Sequence, residues 1–295
     1  MTRATGLIPP ISSPLLDGRL DVLSLDRLLD DIAPHVSGVL VGGGVGESPS
    51  LSLDERLELI TLTARRLPSD LLLAVSIADN SLGHSWRLAE AAAEAGAGLL
   101  VAACPNYYPN DMAMLTDYFA ALSDVVSLDL CLYDNPASSH TRLSTGDIAA
   151  IAAAVPRLTH VKVTDPAIGT VAALKEATAL TVHAGEDAVL WDQIRDADGA
   201  MIALPLLFPQ DAAALWSAIG AGDLAAAEAA YRKVAPFLHA ALGAADYVQV
   251  IKAVLHHRGV IAAPDVRLPL VALPRRRLAE VIGAYEAGTR PGAAA

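Results

Sequence analysis

Residues 129–163 read DLCLYDNPASSHTRLSTGDIAAIAAAVPRLTHVKV, and this stretch decides the fold. Its two short apolar runs, Asp129–Tyr133 and Leu158–Val163, are typical of strands, and the Ala-rich segment Thr145–Val155 between them is typical of a helix. A strand that is apolar along its whole length is buried on both faces, as in a parallel sheet covered by helices. The stretch therefore predicts a β-α-β unit.

The same alternation extends outward in both directions, with strand starts about 20–35 residues apart. The other predicted strands are Gly6–Ile8, Gly38–Val41, Leu71–Ile77, Gly98–Ala103, Leu180–Ala184 and Gly199–Leu204. The other predicted helices are Leu25–Ile32, Leu53–Leu67, Ser85–Ala95, Met112–Val125, Ile168–Ala177, Ala188–Asp196 and Gln210–Ile219. Such repeated units, without a phosphate-binding glycine fingerprint after the first strand, favour an α/β fold of the closed (β/α)8 TIM-barrel type over a doubly wound sheet.

Several helix starts carry capping residues. Ser52 and Glu55 have the spacing of a capping box, in which each side chain bonds the other residue's backbone N–H. Ser144 and Asp187 are predicted N-caps, since their short oxygen-bearing side chains can accept from the first free N–H groups of a helix.

The alternation stops after Gly222. Asp223–Leu242, Ala244–His257 and Arg275–Ala287 have helical patterns and no strand lies between them. We therefore expect a barrel domain at 1–222 and a C-terminal helical extension, 223–295, packed on it.

The composition limits the possible partners. The net charge is −12 and no Lys/Arg cluster interrupts it, which argues against nucleic acid and anionic membrane surfaces. The apolar stretches are shorter than the roughly 18 residues of a membrane helix, and the N-terminus lacks the apolar region of a signal peptide. Two cysteines, Cys104 and Cys131, are expected to be reduced core residues of a cytoplasmic protein.

Lys162 is the first candidate for chemistry. The chain has four lysines, and only this one lies in a predicted strand. Alternation along the strand points Lys162 and His160 to the same side, with Val161 and Val163 opposite. If that side is the barrel interior, desolvation lowers the pKa of the amine and leaves it free to attack a carbonyl. A lysine paired with a buried carboxylate is the alternative.

Two further features lie where strands are expected to end. Tyr133 could transfer protons near the amine, or it could merely cap the barrel. The glycine-rich segment Gly42–Glu47 exposes backbone N–H groups that could bind a carboxylate, and it lacks the Gly-Lys-Ser/Thr of a nucleotide-binding loop. The eight histidines show no metal-ligand spacing, so no metal is expected; His160 and His183 are predicted core residues.

Several motifs then occur together along nearly the whole chain. They are Val161-Lys162-Val163-Thr164, Tyr133-Asp134-Asn135-Pro136, the pair Tyr107-Tyr108, the loop Gly43–Glu47 and Gly185-Glu186-Asp187. Together, and in their order along the chain, they resemble those of the dihydrodipicolinate synthase/N-acetylneuraminate lyase family of class I aldolases. Gly6-Leu7-Ile8-Pro9 begins the resemblance, and the C-terminal helices end it.

The resemblance implies a (β/α)8 barrel that assembles as a tetramer, a dimer of dimers. It implies that Lys162 forms a Schiff base with pyruvate or another 2-oxo acid, that Tyr133 is the general acid/base and that Tyr108 reaches into a neighbouring subunit's site. No cofactor is implied. The implied substrate-binding residues are Gly44, Val45, Thr164, Ser138, Gly185, Asp187 and Met201.

The chain also departs from the family at two places. Gly44 and Val45 replace two hydroxyl residues of the loop, and Ser138 stands where dihydrodipicolinate synthases have an arginine that binds the aldehyde's carboxylate. Losing a charged bidentate contact changes recognition. We therefore expect a lyase or aldolase acting on a 2-oxo-3-deoxy (sugar) acid. A dihydrodipicolinate synthase or a dehydratase of the same family is one alternative, and a non-catalytic 2-oxo acid binding protein is another.

Overall fold

A computed structural model of the chain describes residues 4–167, 169–242 and 245–289. Eight parallel strands form one sheet. The strands are β1 (Gly6–Leu7), β4 (Gly38–Val41), β5 (Leu72–Ser76), β6 (Leu99–Ala103), β7 (Asp129–Asp134), β8 (Leu158–Val163), β9 (Thr181–Ala184) and β10 (Gly199–Ala200). Their order in the sheet is β1-β10-β9-β8-β7-β6-β5-β4, and a parallel bridge from Pro10 to Leu40 joins the two ends. The predicted TIM barrel is confirmed.

Helices connect the strands and surround the barrel. They are α1 (Val22–Ile32), α2 (Leu53–Arg66), α3 (Leu82–Glu94), α4 (Met112–Ser123), α5 (Pro136–Ser139), α6 (Thr145–Ala154), α7 (Thr170–Ala177), α8 (Leu190–Ile194), α9 (Leu204–Leu207), α10 (Pro209–Gly220), α11 (Leu224–Phe237), α12 (Tyr247–His257) and α13 (Arg275–Thr289). Short 3-10 segments and one π-helical segment complete the helical structure: Ala33–His35, Ser48–Ser50, Asp187–Val189 and Leu238–Leu242. No helix in the described ranges is both long and apolar enough to cross a membrane.

The barrel separates two apolar clusters. The smaller lies inside it and contains Ile8, Leu40, Ala74, Leu99, Val101, Cys131 and Met201. The larger lies between the sheet and the helices, where Val161 and Val163 are buried. Cys104 and Cys131 are both buried free thiols, as expected.

Some predicted boundaries differ from the structure. The predicted strand Gly199–Leu204 is wrong in its second half, because β10 ends at Ala200 and Leu204 begins α9. Pro205 has no N–H to contribute to a sheet and fits the first turn of a helix. The hairpin β2 (Leu15–Leu16) to β3 (Arg19–Leu20) was not predicted. Ile168 and Ala244, predicted helix starts, lie outside the described residues.

Two of the predicted caps are confirmed and one is wrong. Ser52 with Glu55 forms the full capping box of α2, and Ser144 caps α6. Asp187 does not cap the helix that follows it, because Glu186 accepts the N–H of Ala188 instead. The carboxylate of Asp187 accepts from a more distant turn, described below.

Candidate active site

A cavity of about 930 Å³ opens at the carboxyl ends of the strands. Parallel strands bring these ends to one face of a barrel, which is where TIM-barrel sites lie. The cavity lining includes nearly all the predicted site residues: Gly44, Val45, Tyr133, Ser138, Lys162, Thr164, Gly185, Asp187 and Met201. The fold therefore gathers side chains that are far apart in sequence.

Lys162 points into the barrel near the end of β8 and is 4 % exposed. Its Nζ lies 4.1 Å from the centroid of the Tyr133 ring, close enough for a cation–π contact. Among the described residues, the ion pairs do not include Lys162, which argues against a lysine paired with a buried carboxylate.

The surroundings of Lys162 favour the uncharged amine. Burial lowers the pKa of Lys162 to about 8, although the nearby Cys131, Asp187 and Glu186 oppose this shift. An ordinary lysine is almost wholly protonated at neutral pH, whereas this one has a larger share of free amine. Such an amine can attack a carbonyl carbon.

The cavity requires a glycine next to Lys162. A Cβ on Gly185 would lie 2.9 Å from Cε of Lys162 and 2.6 Å from the carbonyl oxygen of Val163. The first contact would displace the Lys162 side chain, and the second would require movement of the backbone. Gly185 therefore leaves the room that the lysine side chain occupies.

His160 and His183 lie inside the barrel, on β8 and its neighbour β9, where Lys162 and His183 are register partners. Their rings stack with centroids 5.5 Å apart. Burial lowers the pKa of His183 to about 3, so its ring stays neutral. Both histidines are buried, as predicted for core residues.

Tyr133 lies on the adjacent strand, in register with Lys162. Asn135 donates a hydrogen bond from Nδ2 to the Tyr133 hydroxyl oxygen, at 3.0 Å. Burial raises the pKa of Tyr133, so the phenol keeps its proton at neutral pH. Thr164 lies beside it and donates from Oγ1 to the carbonyl oxygen of Asp134, at 2.8 Å. The phenol is thus a proton donor held against the amine.

The glycine-rich loop turns sharply after β4. Gly42 has φ +73°, a conformation that side chains other than glycine's rarely adopt. The carbonyl oxygen of Gly43 accepts from Gly46 and Ser48, and that of Gly44 accepts from Glu47. Within the described residues, the N–H groups of Gly44 and Val45 have no protein acceptor. They are therefore available as donors to a carboxylate in the cavity.

A buried ion pair fixes the end of this loop. Glu47 has φ +57°, and its carboxylate pairs with Lys252 of α12, both side chains being fully buried. The second carboxylate oxygen accepts the backbone N–H of Arg267 at 2.8 Å. Lys252 also donates to the carbonyl oxygen of Asp265, at 2.6 Å. The C-terminal segment therefore fixes a loop that lines the cavity.

Asp187 lines the cavity, but its carboxylate oxygens are already bonded. They accept the backbone N–H groups of Ala203 (2.8 Å) and Leu204 (2.9 Å) at the start of α9. Burial raises the pKa of Asp187 to about 7, while these two hydrogen bonds oppose the rise. Asp187 therefore holds the turn that follows Met201.

Arg56 and Arg142 are both paired with carboxylates rather than directed at Ser138. Ser138 is exposed at the cavity edge in α5, and Arg142 lies outside the cavity lining. The guanidinium of Arg142 donates to the carboxylate of Asp165 at 2.8 Å. Arg56 does line the cavity, but it is paired with Asp79 at 2.9 Å.

Within a single chain, Tyr108 does not lie in the cavity that contains Lys162. Tyr107 and Tyr108 are 78 % and 74 % exposed, and neither lines the cavity. Their rings contact each other edge to face, with centroids 5.1 Å apart. A role for Tyr108 in a neighbouring subunit's site stays a prediction.

Sequence reasoning missed Tyr247. This residue begins α12 and lines the cavity together with Lys162 and Tyr133. Its hydroxyl oxygen lies 2.9 Å from the position that a Cβ on Gly44 would occupy. No motif marks Tyr247 in the sequence; only the packing of α12 against the barrel brings it to the loop.

The motifs and geometry agree with comparisons to known proteins. The model of the dihydrodipicolinate synthetase family matches residues 3–286. The chain belongs to this family. The chain is 31% identical to a 4-hydroxy-tetrahydrodipicolinate synthase of Corynebacterium aurimucosum over 87% of this chain and 85% of the relative. The synthase of Kineococcus radiotolerans is 28% identical, covering 86% and 83%.

Solved structures show the same fold. The 4-hydroxy-tetrahydrodipicolinate synthase of Methylacidiphilum fumariolicum has a TM-score of 0.90 at 24% identity, over 97% of both chains. The dihydrodipicolinate synthase of Thermotoga maritima also has a TM-score of 0.90, at 23% identity over 96% and 98%. The predicted family and the prediction of an enzyme of its lyase class are confirmed.

Proposed function

We propose that this family member is a class I lyase or aldolase that uses Lys162 to form a Schiff base with pyruvate or a 2-oxo-3-deoxy acid. The observation that carries the proposal is the buried Lys162 amine, free of any ion pair in the described residues and packed against the Tyr133 phenol. Both groups face a cavity large enough for a sugar acid.

The first step is imine formation. The Lys162 amine attacks C2 of the 2-oxo acid, and the former carbonyl oxygen leaves as water after it takes up two protons. Tyr133 supplies a proton to that oxygen. The N–H groups of Gly44 and Val45 bind the carboxylate, and Thr164, Gly185 and Met201 shape the surrounding wall.

Carbon–carbon bond cleavage follows from the iminium. Tyr133, deprotonated in the first step, takes the proton of the C4 hydroxyl; the C3–C4 electron pair moves toward the iminium nitrogen, and an aldehyde leaves. Tyr133 then returns this proton to C3 of the enamine that stays on Lys162, and water hydrolyses the resulting imine to release pyruvate. Synthesis is the reverse sequence, with enamine attack on the aldehyde.

The cavity wall favours a hydroxylated partner over a carboxylate-bearing aldehyde. Ser138 offers a neutral hydrogen bond where an arginine would offer a charged, bidentate one. Arg142 is bonded to Asp165, and Arg56 to Asp79. Arg56 uses both terminal nitrogens within the protein, and Arg142 lies outside the cavity lining, so a hydroxylated 2-oxo-3-deoxy acid is the better fit.

The second candidate is 4-hydroxy-tetrahydrodipicolinate synthase. Relatives with identities from 26% to 31% carry this name. In such an enzyme Arg142 would have to leave Asp165 to bind the aldehyde's carboxylate.

A paired assay distinguishes the candidates. The enzyme is treated with pyruvate and borohydride, and its peptides are analysed by mass; we expect one pyruvate-derived adduct, on the peptide that contains Lys162. Turnover is then measured with pyruvate plus aspartate semialdehyde and with a panel of 2-oxo-3-deoxy sugar acids. We expect the sugar acids to react at least about 10-fold faster. Aspartate semialdehyde lacks a charged partner for its carboxylate in the cavity, and one such contact is worth about a factor of 10.

Each part of the assay has a contrary outcome. A label on Lys175, Lys233 or Lys252, with Lys162 unmodified, contradicts the mechanism. Efficient dihydrodipicolinate formation that Arg142→Ala abolishes supports the second candidate. An adduct on Lys162 without turnover of any substrate points to a binding protein.

A further inference from the structure

The Tyr247 hydroxyl occupies the space above Gly44. A Cβ at Gly44 would lie 2.9 Å from the Tyr247 oxygen, closer than real contacts of this kind. The φ of Gly44 is not in the left-handed region, so the backbone alone would accept a side chain there. The glycine at this position and the tyrosine on α12 are therefore complementary in shape.

The Tyr247 side chain lines the cavity and is half-buried. Within the described residues its hydroxyl has no hydrogen-bond partner among the side-chain bonds, so it is available to a bound molecule. Burial raises the pKa of Tyr247 to about 12, and the nearby Tyr133 and Glu186 add to the rise. At neutral pH the phenol is therefore a neutral group with a proton to donate.

The carboxylate of a 2-oxo acid is the natural acceptor for this proton donor. The free N–H groups of Gly44 and Val45 lie on the same loop that the hydroxyl covers. An anion held by these N–H groups would come close to the Tyr247 oxygen, because that oxygen approaches the Gly44 backbone itself. A hydrogen bond to an ionised acceptor is stronger than one between neutral groups.

We propose that Tyr247 binds substrate, by donating a hydrogen bond to the carboxylate that the Gly44 and Val45 amides hold. This rests on the proposed function, which places a 2-oxo acid in the cavity. Tyr247 then supplies from α12 a hydroxyl that the loop itself lacks. The same helix carries Lys252, whose pairing with Glu47 fixes the loop. The C-terminal segment thus both positions the carboxylate site and completes it.

Tyr247→Phe tests the proposal in the full-length protein. Loss of a hydrogen bond to a charged group should raise the KM for the 2-oxo acid, and the half-saturating pyruvate concentration for borohydride trapping, by about 10-fold or more. We expect kcat to change less than about 3-fold, because the phenol binds the carboxylate rather than the reacting carbon. Tyr285→Phe, outside the cavity lining, is the matched control and should change neither.

Gly44 provides a second, independent variant. Gly44→Ala places a methyl group against the Tyr247 oxygen and should raise KM in the otherwise unaltered chain. Gly44→Ser should do the same. In the Tyr247→Phe background, however, Gly44→Ser has room for its side chain and restores a hydroxyl at the loop, so it should recover part of the lost affinity.

The outcomes separate this inference from the proposed function. If the unaltered enzyme is not trapped by pyruvate at Lys162, the proposed function fails and this inference fails with it. If trapping occurs but Tyr247→Phe leaves the pyruvate dependence unchanged, only the role of Tyr247 is wrong. A fall in kcat alone, with KM unchanged, also overturns the proposed carboxylate contact.

Discussion

The buried position of Lys162 makes the stability of the folded protein depend on pH. The pKa of Lys162 falls from 10.5 to about 8 on folding because burial outweighs the effects of Cys131, Asp187 and Glu186. The unfolded chain therefore binds the proton more tightly than the folded protein does. Below pH 8 Lys162 is charged in both states, and burial of this charge lowers the free energy of unfolding by its full amount. This loss disappears as pH rises toward 10.5, where the unfolded chain also releases the proton.

Lys162→Met should consequently stabilise the protein at neutral pH. We expect the free energy of unfolding at pH 7 to rise by at most about 3 kcal/mol, the equivalent of this pKa shift, and the gain to shrink at pH 10. Urea denaturation at the two pH values measures both. Lys175→Met, at a partly exposed lysine paired with Asp198, should give no such gain. If Lys162→Met and the unaltered protein have the same free energy of unfolding at pH 7, burial of the Lys162 charge does not destabilise the fold.

Tyr133 is the second residue whose environment suggests chemistry. Tyr133→Phe keeps the ring against Lys162 but removes the hydroxyl that Asn135 holds. We expect kcat to fall by about 10²-fold or more, as for loss of a general acid/base group, with little change in stability. Tyr285→Phe, whose hydroxyl donates to the Leu207 carbonyl oxygen outside the cavity lining, is the control. Turnover near that of the unaltered enzyme would show that the Tyr133 hydroxyl is not a catalytic group and that the ring only packs in the barrel.

At the scale of elements, the glycine-rich loop depends on α12. Glu47 adopts a left-handed conformation, and its carboxylate is buried with Lys252. Burial lowers the pKa of Lys252, while its hydrogen bond and charge interaction with Glu47 oppose the shift. A buried ion pair adds little net stability, yet removal of one partner leaves an uncompensated charge.

Lys252→Met should destabilise the protein by about 3–5 kcal/mol, because the Glu47 carboxylate is then buried without its cation. The double variant Glu47→Gln/Lys252→Met should recover a large part of the loss, since no buried charge is left. Denaturant unfolding measures both. Arg276→Met breaks a solvent-exposed pair with Glu280 and should change stability little. A loss below about 1 kcal/mol for Lys252→Met would show that the pair is not the anchor of the loop.

The chain divides most naturally where its strand–helix alternation ends. We propose a barrel unit, 1–222, and an extension, 223–295, of which the structure describes α11, α12 and α13. The contacts of Tyr247 and Lys252 make α12 part of the site. The extension is therefore expected to be required for activity rather than to be a dispensable appendage.

At the scale of the whole molecule, the exposed Tyr107–Tyr108 pair is a candidate contact with another subunit. Adjacent exposed aromatic rings are a common feature of protein interfaces. We propose a tetramer built as a dimer of dimers, in which Tyr108 reaches a neighbouring site. Within the described residues of a single chain, Tyr108 does not line the cavity that contains Lys162.

Light scattering should therefore give a mass that is a multiple of 30.6 kDa, at least a dimer. The double variant Tyr107→Ser/Tyr108→Ser should shift the mass toward the single chain and lower kcat. Leu268→Ser changes an equally exposed apolar side chain and serves as the control. A fully active monomer of the unaltered protein would refute the proposal.

The sequence alone determined the features that depend on local periodicity. Short apolar runs in regular alternation with helices predicted the barrel, since a parallel strand must be buried on both faces. Two-residue alternation put Lys162 and His160 on the same side of their strand, opposite Val161 and Val163, and the spacing of Ser52 and Glu55 predicted the capping box. The side-chain alternation and the capping box depend on residues a few positions apart, and the barrel depends on a repeat along the chain, so each can be recognised without knowledge of distant contacts.

Tertiary structure decided the rest. Asp187 bonds to Ala203 and Leu204 rather than to its own helix, and this turn ends β10 earlier than its apolar sequence suggests. Tyr247 reaches Gly44 only because α12 packs beside the first barrel loops. Side-chain patterns encode which face of an element is buried, but not which distant group will meet it. That choice depends on barrel closure and on helix packing, where many weak contacts act together.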